Sequence, residues 1–209
     1  MESSVGVFGE DVLLWLCLLT QSPQRPDAQT LWQHAAHLLD ELKRSPEAHA
    51  LPVQSVEDGM FAIAALIDEV AMAAPDLGSY WRQYSLLATR FNTTSGGVEV
   101  FQRLDRVRVG PPAVIATYAT VLGLGFMGCY GLPHADRYAL SQLRRDLGVQ
   151  LGVDPDRDWS GGVLKKVRAD DVEHLQLFSQ AWYKSVWVGR TLAVLVAVGG
   201  LGALLGLLR

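Results

Sequence analysis

The sequence predicts an all-α protein, with a helical domain followed by one C-terminal transmembrane helix. Apolar residues recur at helical spacing through most of the chain, and no alternating runs with hairpin turns compete with them. Residues 191–208 also form an apolar stretch without a charged side chain. We therefore expect a helical domain over residues 1–183 and a membrane anchor over residues 184–209.

Two helices are predicted in the N-terminal quarter of the chain. The apolar segment 12–20 follows acidic residues, whereas a signal peptide has a basic leader, so we interpret it as a core helix. Asp27 can cap a second helix over residues 28–44, in which leucines recur at helical spacing. Pro46 and Pro52 then bracket a predicted loop.

Turn residues separate the remaining predicted helices. The start of the third helix, from Ser55 to Asp58, is similar to a capping box, and Pro112 suits the first turn of a helix. The expected helices cover residues 55–74, 80–91, 98–107, 113–128 and 135–151, and a last one from residue 170 continues into the anchor.

The apolar stretch 191–208 has the length and the flanks of a membrane span. As a helix it would cover roughly 27 Å, close to the hydrocarbon thickness of a bilayer. Trp182, Tyr183 and Trp187 lie beside basic residues, an arrangement that a membrane interface favours. A buried core helix is the alternative, but such a helix rarely lacks a polar face over this length.

Charge predicts the orientation of the anchor. Basic residues precede the apolar stretch, and only Arg209 follows it. The positive-inside rule then places the N-terminal domain in the cytoplasm and the C-terminus in the periplasm. The residues that set this asymmetry are Lys165, Lys166, Arg168, Lys184 and Arg190.

Composition excludes some classes of function. The net charge is −4, and no acidic residue follows Glu173, so the N-terminal part is acidic. A nucleic-acid binder would need a basic face, so we expect no nucleic-acid partner. Cys17 and Cys129 show no metal-ligand spacing, which fits a reducing compartment.

Candidate chemistry is sparse. Some of the residues His34, His37, Asp40 and Glu41 could share one helix face, as metal ligands do. The candidates on a second helix, Asp68–Glu69 and Glu173–His174, have no matching spacing. We expect a solvated helix face, no metal and no cofactor. Because no serine or cysteine has an identifiable base, we expect no enzyme activity. A membrane-tethered metal-dependent hydrolase that uses the two histidines is the least favoured alternative.

Asp68 and Glu69 directly follow the apolar run "MFAIAALI". Carboxylates at the edge of a core-facing stripe are costly to bury unless they are paired or face a cleft. One interpretation is an exposed edge, or a salt bridge to an arginine such as Arg90. The other is an acidic docking cleft for a basic partner.

The anchor carries a small-xxx-small motif at Gly202 and Gly206. Ala193 and Ala197 have the same spacing. Small residues allow helix backbones to approach closely in lipid, so this face could form a homodimer. It could equally pack on the transmembrane helices of a partner.

The order of several segments resembles the TssL/DotU (IcmH) family, inner-membrane components of type VI and related type IVB secretion systems. The segments are "ALIDEV", "RFNTTSGGVEVFQRLDRV" and "YATVLGLGFMGCYG", followed by a tryptophan loop and a terminal span. The chain departs from the family at Met127, Cys129 and Gly131, where the family often has glutamate and arginines. The positions that match the family motifs are Phe91, Asn92, Gly97, Phe101, Leu104, Gly125, Phe126, Gly128 and Tyr130.

The resemblance implies a hook-shaped cytoplasmic domain of two small helical bundles that has no catalytic activity. It also implies that Asp68 and Glu69 line a cleft used for contacts. The expected partners are the large IcmF-like inner-membrane protein (TssM), baseplate components such as TssK, and a second copy of the chain through the transmembrane helix. The sequence leaves the choice between type VI and type IVB secretion open.

A tail-anchored regulator of the Bcl-2 type is the main rival interpretation. Such regulators are also all-helical proteins with a terminal span. The sequence contains no convincing match to their "NWGR" element, and their pattern does not explain the glycine-phenylalanine element near Phe126. We therefore expect a structural secretion component.

Overall fold

The computed structural model describes residues 6–22 and 25–153. The chain divides into two compact units, Met1–Asp156 and Arg157–Arg209, and all the described residues lie in the first unit. The predicted boundary at residue 183, the last helix, the anchor and the Gly202–Gly206 motif lie outside the described residues.

The described residues form helices and no strand, so the all-α prediction is confirmed for this part of the chain. A short 3₁₀ turn, Gly128–Gly131, lies between the last two helices. In chain order the helices are α1 (Glu10–Gln21), α2 (Ala28–Arg44), α3 (Pro46–His49), α4 (Val53–Ala73), α5 (Gly78–Gln83), α6 (Leu86–Phe91), α7 (Gly96–Val107), α8 (Pro112–Gly123) and α9 (Arg137–Gln150).

Local sequence explains several helix ends. The Asp27 side chain accepts a hydrogen bond from the Thr30 amide at 3.0 Å and caps α2, as predicted. Pro112 occupies the first turn of α8, where a backbone N–H would have no acceptor within the helix, so its absence in proline costs no hydrogen bond. Asp136 caps α9 in the same way as Asp27 caps α2.

Several predicted elements need correction. The expected loop after Pro46 contains the short helix α3, because the Ser45 hydroxyl accepts a hydrogen bond from the Ala48 amide and starts a turn. Helix α4 begins at Val53 without a side-chain cap, so the expected capping box at its start does not form. The predicted sixth helix ends at Gly123, and Gly125 beyond it has a φ of 108° that favours glycine.

The predicted helix over residues 80–91 is two helices. It breaks between α5 and α6 at Tyr84 and Ser85, and Ser85 then caps α6 by accepting a hydrogen bond from the Ala88 amide at 3.0 Å. No proline or glycine marks this break in the sequence. A distant carboxylate also binds the first two amides of α6, as described below.

Helix α4 is the centre of the domain. It packs against α1, α2, α3, α5, α6, α7 and α8. Residues 61–67 are all at most 2% exposed, as expected for a helix that is apolar on every side and surrounded by others. The acidic pair follows directly, so Asp68 and Glu69 project from the central helix, which packs against seven of the other described helices.

Helix α8 is the main partner of α4 in the core. Together with the following turn, the stretch Pro112–Gly131 is long and apolar enough to cross a membrane, with a mean hydropathy of 1.5. Its central side chains, including Tyr118 and Leu122, are buried within the domain. We therefore interpret α8 as a core helix, which is distinct from the anchor predicted over residues 184–209.

Candidate functional site

Asp68 lies inside the domain and connects α4 to α5 and α6. Its side chain accepts hydrogen bonds from the Trp81 indole N–H at 2.7 Å, the Leu86 amide at 2.8 Å and the Leu87 amide at 2.9 Å. The two amides belong to the first turn of α6, where helical N–H groups have no partner within the helix. Burial raises the pKa of the Asp68 carboxyl, and the three N–H donors counter that effect.

The position of Asp68 corrects one interpretation of the acidic pair. Asp68 is 3% exposed, so it is not at an exposed edge. Arg90 does not pair with it, because the Arg90 guanidinium binds both carboxylate oxygens of Asp40. Asp68 thus serves the junction between α5 and α6, and its use in partner binding stays a prediction.

Glu69 is half-buried and holds a different part of the chain. Its two carboxylate oxygens accept hydrogen bonds from the Met127 amide at 2.9 Å and the Gly128 amide at 2.8 Å. These amides begin the 3₁₀ turn between α8 and α9, where they lack partners in a helix. The ion pairs formed among the described residues do not include Glu69 or Asp68.

The glycine and aromatic positions of the family motif meet at the same place. The Gly97 and Gly128 backbones are in contact, and a Cβ on Gly128 would lie 2.4 Å from the Gly97 carbonyl oxygen. Phe101 packs edge-on against Tyr130, with ring centroids 4.8 Å apart, and lies 5.9 Å from the Phe126 ring. The residues after α8 are therefore seated on the start of α7.

The Phe91–Asn92 step of the motif ends α6. Phe91 packs edge-on against the buried Phe61 ring, with centroids 5.2 Å apart. Asn92 has a φ of 53° and ends the helix in the left-handed conformation that asparagine tolerates. Leu104, another motif position, is 3% exposed and belongs to the core.

These elements enclose a cleft of about 240 Å³, lined by both carboxylates of the acidic pair. One wall comes from α4 and the α5–α6 junction, and the other comes from the start of α7 and the segment after α8. Other lining residues are Met72, Ser85, Leu87, Thr94, Gly97 and Phe126. The sequence predicted the acidic pair, but it gave no signal for Ser85 or Thr94.

A buried ionic cluster lies between α4 and α7, and no pattern in the sequence predicted it. Asp58 is 2% exposed and accepts hydrogen bonds from Arg103 at 3.1 Å and from the Arg106 Nε at 2.7 Å. The Arg103 guanidinium also lies over the Phe61 ring, 3.8 Å from its centroid. Asp58 was predicted to start a helix, and instead it binds two arginines of α7.

The histidine cluster on α2 does not assemble ligands for a metal. His37 pairs with Glu41 at 3.3 Å, and Asp40 binds Arg90. Within residues 6–22 and 25–153, no group of three or more His, Cys, Asp or Glu side chains is placed to hold a metal ion. Burial lowers the pKa of His34, which favours its neutral form in the domain.

The fold and the cleft define the class of protein. The described residues form a helical scaffold in which two adjacent carboxylates of the central helix organise the walls of a small cleft. The model of a family described as type VI secretion system protein DotU matches residues 8–207. The chain therefore belongs to the DotU family, and the resemblance inferred from the sequence is confirmed.

Solved structures give the same fold. The cytoplasmic domain of TssL from Acinetobacter baumannii is 22% identical, with a TM-score of 0.62, over 70% of this chain and 98% of that chain. The structure of SciP/TssL from enteroaggregative Escherichia coli 042 is 25% identical, with a TM-score of 0.55, over 68% of this chain and 86% of that chain. No curated protein matches the sequence.

Proposed function

We propose that this chain is a non-enzymatic structural component of the type VI secretion membrane complex. In this proposal it is anchored in the bacterial inner membrane by its C-terminal helix and binds other components at the cytoplasmic face. The observation that carries the proposal is the DotU family match over residues 8–207, which extends through both the described domain and the predicted anchor.

The anchoring part of the proposal rests on residues 184–209. Their uncharged stretch, the aromatic residues before it and the basic residues on its N-terminal side favour a single span with the domain in the cytoplasm. Protease added to spheroplasts should leave the N-terminal domain intact and should digest it after the membrane is permeabilised. Digestion in intact spheroplasts would contradict the proposed topology.

The docking part of the proposal concerns the cleft. The proposed partners are the IcmF-like inner-membrane protein (TssM) and baseplate components such as TssK. The cleft supports this role because it is a concave surface in which apolar and polar side chains, among them Met72, Leu87 and Thr94, lie beside the acidic pair. A partner that enters the cleft meets walls that the acidic pair holds in place through its hydrogen bonds to backbone amides.

A cleft-filling substitution tests docking without altering either carboxylate. Thr94 lines the cleft and is exposed, so Thr94→Trp should block entry while leaving the core intact. Thr20→Trp on α1 is the matched control, because Thr20 is an exposed threonine that does not line the cleft. Co-purification of TssM and TssK with the full chain should decrease for Thr94→Trp only. Equal recovery with both variants would contradict docking at the cleft.

A further inference from the structure

Glu69 of the central helix forms two hydrogen bonds with the segment after α8. Glu69 accepts the Met127 and Gly128 amides at 2.9 and 2.8 Å, one on each oxygen. A carboxylate that receives N–H donors on both oxygens forms stronger hydrogen bonds than a neutral acceptor would. Glu69 itself projects from α4, whose preceding residues are buried. The Glu69 carboxylate is therefore attached to the buried central helix of the domain.

Apolar packing and a close backbone contact also hold this segment: Phe126 is 2% exposed, and Met127 and Tyr130 pack against the core. Gly128 has a φ of 50° and touches the Gly97 backbone, so the fit depends on the absence of a side chain. The contacts of Phe101 with Phe126 and Tyr130 are apolar and supply no directional hydrogen bond. Among these contacts, the hydrogen bonds of Glu69 are the ones that fix the direction of the Met127 and Gly128 amides.

The segment presents a different surface from the rest of the cleft. Residues 123–135 contain no Asp, Glu, Lys or Arg. Leu124 is 43% exposed and Leu132 is 62% exposed, so the surface is apolar at both ends of the 3₁₀ turn. Phe126 lines the cleft, whereas Leu124 and Leu132 are not among its lining residues, so a partner that extends from the cleft over this segment meets apolar side chains rather than charge.

We infer that Glu69 is a positioning residue, which acts on partner binding through residues 124–131 rather than through an ion pair with the partner. This inference rests on the proposed docking at the cleft. A partner cation that took the Glu69 carboxylate would have to compete with two backbone amides for it. Holding the apolar segment in place is the role that these contacts support.

Hydrogen exchange of the full chain in detergent tests the first step without any partner. Glu69→Gln keeps the size of the side chain but replaces one acceptor oxygen by an NH₂ donor that faces an amide. Exchange in peptides that cover residues 124–131 should become about tenfold faster or more, since a hydrogen bond to a charged group is lost. Peptides from α2 should exchange as in the wild-type chain, which reports that the domain is folded. Unchanged exchange in residues 124–131 would overturn the inference.

Asp40→Asn is the matched control for the exchange measurement. Asp40 also accepts two hydrogen bonds, from Arg90, but it lies on α2 and does not line the cleft. Exchange in residues 124–131 should match the wild type in this variant. An equal increase in both variants would overturn the inference, because the effect would then follow from loss of any carboxylate.

Binding of purified TssK to the full chain tests the second step. Gly128→Ala displaces the segment while leaving the Glu69 charge in place, so it should raise Kd by about tenfold or more. Gly123→Ala is the matched control, because its Cβ would meet nothing within 4 Å. If peptides from α2 show that Gly128→Ala does not fold, the binding measurement uses Tyr130→Leu instead. This change removes the ring contact with Phe101.

The salt dependence of binding separates the two roles of Glu69. If Glu69 acts through the segment, Glu69→Gln should weaken binding and leave the slope of log Kd against log salt concentration unchanged. Normal binding by the segment variants, combined with a shallower slope for Glu69→Gln, would overturn the inference in favour of a direct ion pair. Absence of wild-type binding to TssK would instead contradict the proposed partner, and the exchange result would still decide the positioning role.

Discussion

Replacement of Asp68 by alanine should destabilise the domain, because the carboxylate is an internal acceptor rather than an exposed charge. The change removes the acceptor for the Trp81 indole and for the Leu86 and Leu87 amides. A buried donor left without a partner costs about 1–3 kcal/mol, so the three donors together cost at least about 3 kcal/mol.

Two effects reduce that cost. The buried charge disappears with the carboxylate, and the raised pKa of Asp68 indicates that its burial is unfavourable. Water can also enter from the cleft that Asp68 lines. The expected net loss is about 2–4 kcal/mol, which lowers the Tm of a domain of this size by about 4–15 °C.

Urea denaturation of the unit Met1–Asp156, followed by circular dichroism, measures this change. Asp40→Ala is the control, since an exposed ion pair contributes at most about 1 kcal/mol. A loss below about 1 kcal/mol for Asp68→Ala would refute the reasoning. Such a small loss would show that α6 does not depend on the Asp68 carboxylate, which is the result expected if Asp68 were exposed.

Three further predictions concern other parts of the chain. Asp58→Ala should cost about 3 kcal/mol in urea denaturation, because it leaves a buried guanidinium partly unpaired, and a loss below about 1 kcal/mol would contradict this. The hydrogen bond from its arginine partner lowers the pKa of Asp40 below its ordinary value of 3.8. The wild-type chain should therefore be more stable than Asp40→Asn at pH 7, and this difference should shrink as the pH falls below 3.8. A difference in stability that does not depend on pH would contradict this prediction. Replacing Gly202 and Gly206 by Ile should reduce self-association in a membrane two-hybrid reporter, and an unchanged signal would exclude this face as the dimer contact.

Local sequence signals predicted the elements that local contacts determine. Helix α2 was predicted with its cap at Asp27, because that residue and the leucines after it act within one helix. Helix α4 was predicted over residues 55–74, because a continuous apolar run lies between turn residues there, and the structure has it at Val53–Ala73. The family was also recognisable, because its motif positions occur in a specific order.

The break between α5 and α6 could not be predicted in the same way. Residues 80–91 have the composition of one helix, and the groups that start α6 are satisfied by Asp68, which lies 18 residues before Leu86. The same limit applies to Asp58, whose arginine partners lie 45 and 48 residues later. Contacts between distant residues contribute to these parts of the fold and leave no mark in the local sequence.

The site was predicted only in part for the same reason. The sequence marked Asp68 and Glu69 as unusual, because charged residues directly follow a buried apolar run. It could not show that their oxygens accept backbone amides, since those amides come from α6 and from the turn after α8. Thr94 joins the cleft only once the start of α7 meets the segment after α8.

Site-specific photo-crosslinking in the native bacterium tests the central proposal, that the cleft of this DotU-family domain binds other secretion components. A photoreactive phenylalanine analogue at Thr94 places the probe on the cleft, and the same analogue at Thr20 places it on α1. We predict that the Thr94 probe crosslinks TssM or TssK and that the Thr20 probe crosslinks neither. Crosslinks to these proteins from Thr20 but not from Thr94 would contradict the proposal.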